Sequence, residues 1–195
     1  MSALIQRLVT PPTVEPLSLA EAKEHLRIEH SVDDGFINTL IIAAREYTEK
    51  VLWRALINQT WEIVLCAFPV FDYITLPKGP LQSVTSVQYL DVNGTLQTLS
   101  ASVYEVDTKS KYGRVLLKYQ QSWPSYLSRW NAVTVTYVVG FGADADNVPV
   151  TIKHALKLLI SQMYEHRVPE VTGTIISAVR LSYDALLAPF RARRF

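Results

Sequence analysis

The sequence predicts an α+β fold: a helical scaffold, made of an N-terminal αα-hairpin and C-terminal helices, with an inserted antiparallel β meander or small sandwich. Three observations predict it. Residues 18–52 hold helical spacing in two successive segments, residues 58–139 break into short strand-like runs, and residues 151–167 return to helical spacing. The passage from β back to α is the most informative stretch. Val133, Val135, Tyr137 and Val139 alternate with Thr134 and Thr136, the period of a half-buried strand. Gly140 and Gly142 then permit a sharp turn, and Pro149 is preset for a first helical turn. Ile152, Ala155, Leu156, Leu159, Ile160, Met163 and Tyr164 form a wide apolar stripe, which should end near Arg167, ahead of Pro169.

The other elements follow in order. The proline-rich stretch Thr10 to Pro16 should be an extended arm. Ser18-Leu19-Ala20-Glu21 has the form of a capping box, and Leu19, Ala22 and Leu26 give the buried side of a short helix ending near Ile28. Ser31 to Asp34 supplies polar caps for the next helix, whose apolar stripe runs from Phe36 through Ile37, Leu40, Ile41, Ala44, Tyr47 and Val51 to Leu52. Asn38, Arg45, Glu46, Glu49 and Lys50 lie away from most of that stripe. Seven strands are expected: 60–68, 73–76, 83–90, 96–99, 104–107, 114–119 and 132–139. Pro69, Pro77-Lys78-Gly79-Pro80, Asn93-Gly94 and Tyr112-Gly113 supply the turns between them. Asn93-Gly94 is the strongest hairpin signal, because both residues tolerate positive φ. Val168 to Leu181 has no clear period and is expected to be a mobile connection or a lone strand. Ser182 to Phe190 resumes helical spacing. The expected division is 1–57 (arm and αα-hairpin), 58–142 (inserted β region), 143–168 (scaffold helix packed on the hairpin) and 169–195 (connection and C-terminal docking helix).

Composition narrows the function. The chain has 195 residues, 49% hydrophobic and 19% charged, which argues for a folded core. A net charge of +1 gives no global attraction to nucleic acid. The single cysteine, Cys66, cannot form an intrachain disulfide and fits a reducing compartment. The stretch Met1 to Thr10 is no signal peptide, and no apolar run is long enough to span a bilayer, so a soluble protein made in the cytoplasm is expected.

No constellation demands catalysis. His25 and His30 are spaced wrongly for one helix face and read as a solvated helix end, and His154 and His166 are too far apart for one site. Asp144-Ala145-Asp146-Asn147 lacks the remaining positions of a calcium loop and reads as a helix cap. Gly140-Phe141-Gly142 lacks the third glycine of a dinucleotide fingerprint. Cys66 reads as a small buried hydrophobe. No enzyme activity, cofactor or metal is expected. Trp53, Trp61, Trp123 and Trp130 read as core or subunit-interface residues. At the C-terminus, Leu186, Leu187, Phe190, Arg191, Arg193 and Arg194 combine apolar and cationic groups as interface anchors do, which favours a protein partner over DNA phosphate.

The chain resembles the head–tail connector (adaptor) proteins of tailed bacteriophages and prophages, in the form with N-terminal helices and an inserted β region. The resemblance is carried by Leu17 to Arg27, Ile41 to Tyr47, Gln59-Thr60-Trp61, Leu76 to Val84, Val138 to Gly142, Val148-Pro149 leading into Ile152 to Ala155, and Asp184 to Arg191. It implies a structural subunit of a homo-oligomeric, dodecameric ring in the virion neck. That ring would sit between the portal protein and the stopper or tail proteins, with DNA passing through the channel without specific binding and no membrane involved. The C-terminal segment would dock on the portal. The alternatives are another neck role, as stopper or tail-completion protein, and a DNA-binding packaging factor.

Overall fold

The computed structural model describes residues 5–166 and 175–192, with side chains of the last segment described from residue 181. The chain is α+β, as its sequence pattern predicts, and forms two compact units. One is built from Met1–Pro12 and Asn58–Phe141, the other from Thr13–Ile57 and Gly142–Phe195.

The first unit is all β. Its strands are β1 (Ile5–Thr10), β2 (Gln59–Leu65), β3 (Tyr73–Leu76), β4 (Leu81–Leu90), β5 (Leu96–Thr98), β6 (Tyr104–Asp107), β7 (Gly113–Leu117) and β8 (Val133–Val139). Five form one sheet in the order β1-β2-β8-β4-β5, and three form another in the order β3-β7-β6. Every pairing is antiparallel. The larger sheet is not a simple meander, because β8, last in sequence, lies between β2 and β4. The alternation that predicts β8 is real: Val133, Val135, Tyr137 and Val139 are fully buried, while Thr134 and Thr136 are half-buried. The Asn93-Gly94 turn closes β4 onto β5. Gly94 takes φ +81°, and the Asp91 carboxylate accepts from the backbone N–H of Asn93 and of Thr95, both at 2.9 Å.

Strand β1 is absent from the sequence expectation. Ile5-Gln6-Arg7-Leu8-Val9-Thr10 does not alternate, and five of its six residues are exposed. Pairing with β2, in the register Ile5↔Val64 to Leu8↔Trp61, defines it, and that pairing is non-local.

The second unit is helical: α1 (Leu19–Leu26), α2 (Asp34–Leu52), α3 (Val150–Glu165) and α4 (Ile175–Leu187). The capping box of α1 is formed, with Glu21 N–H donating to Ser18 Oγ at 3.2 Å and Ser18 N–H to Glu21 Oε2 at 2.9 Å. Asp33, at the N-cap of α2, makes no side-chain cap bond; its carboxylate accepts from the Tyr164 hydroxyl of α3 instead. Ahead of α3, Gly142 is required by close approach: a Cβ there would lie 2.2 Å from Asn147 Oδ1, which accepts from the Asp144 N–H. Ile152, Ala155, Leu156, Leu159 and Ile160 of the α3 stripe are buried.

Two expectations fail in this unit. Arg45 and Glu49 are buried, not turned to solvent. Arg45 Nε donates to Glu15 Oε2 at 2.8 Å, its Nη1 to Glu49 Oε2 at 3.3 Å, and Glu49 Oε1 accepts from the Leu56 N–H at 2.9 Å. Burial alone would lower the Arg45 pKa, but the Glu15 hydrogen bond and the charges of Glu15, Glu49 and Glu46 hold it above its ordinary value. The second failure is the expected lone strand or mobile connection: residues 175–181 are the first turns of α4. Their β-branched residues hide the helical period, and extending an existing helix costs far less than starting one. The remainder of that expectation, 168–174, lies outside the described residues.

Between α1 and α3 the rings of His25 and His154 meet edge to face, centroids 6.5 Å apart. Burial, then Lys157 and His154, holds the His25 pKa below its ordinary value. The unfolded chain therefore binds that proton more readily, so this contribution to stability is complete above about pH 6.5 and declines as the pH falls toward the folded value. Comparing thermal melts across this range, His25→Gln should show a flatter decline below pH 6.5 than the parent chain. Tyr137 offers a second test. Its hydroxyl is buried without a hydrogen-bond partner among the described residues, and burial raises its pKa. Tyr137→Phe should leave stability unchanged or raise it by up to about 1 kcal/mol in denaturant titrations.

Candidate docking surface

The C-terminal segment is rooted in the helical unit by groups the sequence places one helical turn apart. Tyr183 and Leu187 of α4 are 5% and 0% exposed. The Tyr183 hydroxyl lies 2.8 Å from Thr48 Oγ1, a buried residue of α2, and its ring meets that of Tyr47 with centroids 6.1 Å apart. Burial pushes the Tyr183 pKa up to about 12, with Tyr47 and Asp184 adding to the shift. A 3-10 turn, Ala188–Phe190, follows α4 with Pro189 near its start. The Ala192 N–H then donates to the Leu52 carbonyl at the end of α2, at 2.9 Å.

Beside this root lies an open cleft of about 680 Å³, lined by Tyr47, Val51, Leu159, Gln162, Met163, His166, Tyr183, Asp184 and Arg191. Pairs four apart on α2 (Tyr47, Val51) and on α3 (Leu159, Met163) form its apolar walls. Arg191, at the rim, pairs with Asp184 at 2.6 Å, both side chains being about two-fifths exposed. An ion pair so exposed adds little stability and is free to exchange partners.

The six residues expected to dock a partner separate here. Leu186 and Phe190 are half-buried, and Arg191 is exposed. Leu187 is not available as surface: it is wholly enclosed by its own chain, because the helical phase that sets Leu186 at the boundary turns Leu187 inward. Arg193 and Arg194 lie outside the described residues. The cleft residues of α2 and α3 were not foreseen, although their four-residue spacing was readable. Elsewhere, Trp123 stacks on Phe68 with centroids 4.8 Å apart and donates to the Phe71 carbonyl, and Trp61 lies beneath Lys78, whereas Trp130 is 70% exposed and fills no core. Among the described residues no three His, Cys, Asp or Glu side chains gather as metal ligands, and no helix is long and apolar enough to cross a membrane.

The chain thus combines a helical unit, with a rooted but partly open C-terminus, and an antiparallel β unit. The family model for the phage gp6-like head-tail connector protein matches residues 16–122, more than half of the chain. The chain belongs to that family, so the resemblance read from its motifs holds. Solved structures share the fold throughout. A chain in the neck of an empty gene transfer agent (GTA) particle, computed with C6 symmetry, superposes with a TM-score of 0.82 at 24% identity, covering 98% of this chain and 97% of that one. A chain in the virion of a native GTA particle gives 0.81 at 23%, with 98% and 97% covered. One in the neck of a native GTA particle computed with C12 symmetry gives 0.75 at 24%, with 99% and 97% covered. No curated protein matches the chain.

The root and the boundary should respond differently to truncation. Leu187→Ala is expected to lower unfolding free energy by about 2–4 kcal/mol, whereas Leu186→Ala should cost about 1 kcal/mol or less. Urea titrations of both variants measure the difference.

Proposed function

We propose that this protein is a neck subunit of a tailed phage or prophage particle, assembling as a cyclic, dodecameric ring between the portal protein and the stopper or tail proteins. DNA passes through that ring without sequence-specific binding, and the protein has no catalytic role. Family membership supports the connector role. The C6 and C12 symmetry of the particles that hold the similar chains supports the ring. A cyclic ring needs two different, complementary surfaces on each copy, and interface angle sets the subunit number.

The observation that carries the docking surface is the division of the C-terminus into a buried root and an open tip. Tyr183, Leu187 and Ala192 fix the segment, so docking costs little ordering entropy. Leu186, Phe190 and Arg191, the last of which lines the cleft, meet the portal. Arg193 and Arg194 add charge to the same end. Arg191 exchanges Asp184 for an acidic group of the partner.

Capture on immobilised portal tests this reading with full-length protein, Phe190→Ala, and a chain ending at Leu187. Phe190→Ala should weaken portal binding by about 2 kcal/mol, roughly 30-fold, and the shortened chain should lose it. Portal capture by the shortened chain equal to that of the full chain would remove Phe190, Arg191 and the residues after them from the interface. Capture by tail proteins alone would assign a stopper or tail-completion role instead.

A further inference from the structure

The cleft of the helical unit is left open by the described residues that build it. Its apolar walls are Tyr47 and Val51 of α2 and Leu159 and Met163 of α3, around a volume of about 680 Å³. Tyr47 is 48% exposed although it stands in a wall. The carboxylate among the lining residues, Asp184, is already taken by Arg191 at 2.6 Å. A newcomer therefore finds apolar contact here and no unpaired negative charge, which selects a ring or an aliphatic group over a cation.

The chain itself leads into this cleft. Arg191, with φ −62° and ψ 126°, leaves the 3-10 turn in extended backbone, and its side chain lines the cleft. The Ala192 N–H is then held on the Leu52 carbonyl, next to Val51. Three further residues follow in sequence, Arg193, Arg194 and Phe195. Phe190, the other ring of the segment, belongs to the 3-10 turn and does not line the cleft.

We infer that the ring of Phe195 fills this cleft in the free subunit, so that the chain covers its own apolar site. Reach allows it: three residues span about 10 Å, and Tyr47 lies about 7.5 Å back along α2 from Leu52. Register favours it: with the extended backbone of Arg191 continued, Arg193 and Phe195 share the cleft side with Arg191, and Arg194 faces away. The chemistry matches, since the ring meets the aromatic pair Tyr47 and Tyr183, whose centroids are 6.1 Å apart, and the adaptable thioether of Met163. The stem of Arg193 covers the cleft mouth with its charge in water. So short a tether gives an effective concentration of about millimolar, which fills the site even where the contact is weak. A seated ring also removes an apolar patch through which free subunits could adhere.

The sequence holds two methionines, Met1 and Met163, so isotope labelling of methionine methyls gives one NMR signal from the cleft wall. Full-length protein, Phe195→Ser and a chain ending at Ala192 are compared. The ring current of Phe195 should displace the Met163 signal in the full-length chain. Both variants should share one position, distinct from it. The displacement should persist on dilution, as a contact within one chain requires. All three chains keep the Ala192–Leu52 bond, and identical circular dichroism would confirm that each is folded. Coincident Met163 signals in full-length protein and Phe195→Ser would overturn the inference. So would a displacement lost on dilution, which would place the Phe195 of a second copy in the cleft. The inference needs neither portal nor ring. A displaced Met163 signal without portal capture would sink the docking reading alone, and capture without displacement would sink this inference alone.

Discussion

The buried guanidinium of Arg45 is the group on which the helical unit depends. It reaches Glu15 in the arm before α1 and Glu49 one turn along α2, and Glu49 in turn binds the Leu56 N–H beyond the helix end. Residues 45, 48, 49 and 52 fall on one face of α2. Thr48 meets the Tyr183 hydroxyl of α4, and the Leu52 carbonyl receives the Ala192 N–H. One polar face thus fixes the arm, the exit from α2 and the C-terminal segment. Such a buried network is costly to break: losing one partner strands an uncompensated charge, worth about 3–5 kcal/mol, although the intact network need contribute little net stability. Its effect is geometric. It fixes the arm before α1 and the exit from α2, the helix whose Thr48 and Leu52 hold the C-terminal segment.

That network also explains what the sequence hid. Helical periodicity read on hydrophobicity alone sends Arg45 and Glu49 outward, because each charge looks expensive to bury in isolation. The partner Glu15 is thirty positions away in sequence, and only the fold makes it adjacent. Strand β1 was invisible for the same reason, since its existence rests on hydrogen bonds to β2 and not on a pattern of its own. Local chemistry was legible throughout. The Ser18–Glu21 box, the Asn93-Gly94 turn and the alternation of β8 each depend on residues within a few positions of one another, and each has the form its residues dictate.

The candidate site divides along the same line. Leu186, Leu187, Phe190 and Arg191 share a composition suited to an anchor, and composition cannot distinguish a side chain facing a partner from one facing its own core. Helical phase can. Leu187 lies four residues after Tyr183, so the two turn together onto the unit's interior, while Leu186 falls at the edge. The cleft walls come from α2 and α3, far from the C-terminus in sequence, and among the described residues α4 adds Tyr183 and Asp184 to them.

On the proposed docking reading, rooting part of the C-terminal segment in the free subunit changes what binding must achieve. An unanchored terminal helix of this length is marginal in water and would lose backbone freedom at the moment of docking. Here Tyr183, Leu187 and the Leu52–Ala192 bond order that backbone beforehand, which leaves the partner to cover apolar surface and to meet one exchangeable ion pair. A subunit built this way holds the geometry of its C-terminal segment before it meets a partner, and on the proposed docking reading its affinity then follows from the few groups at the tip.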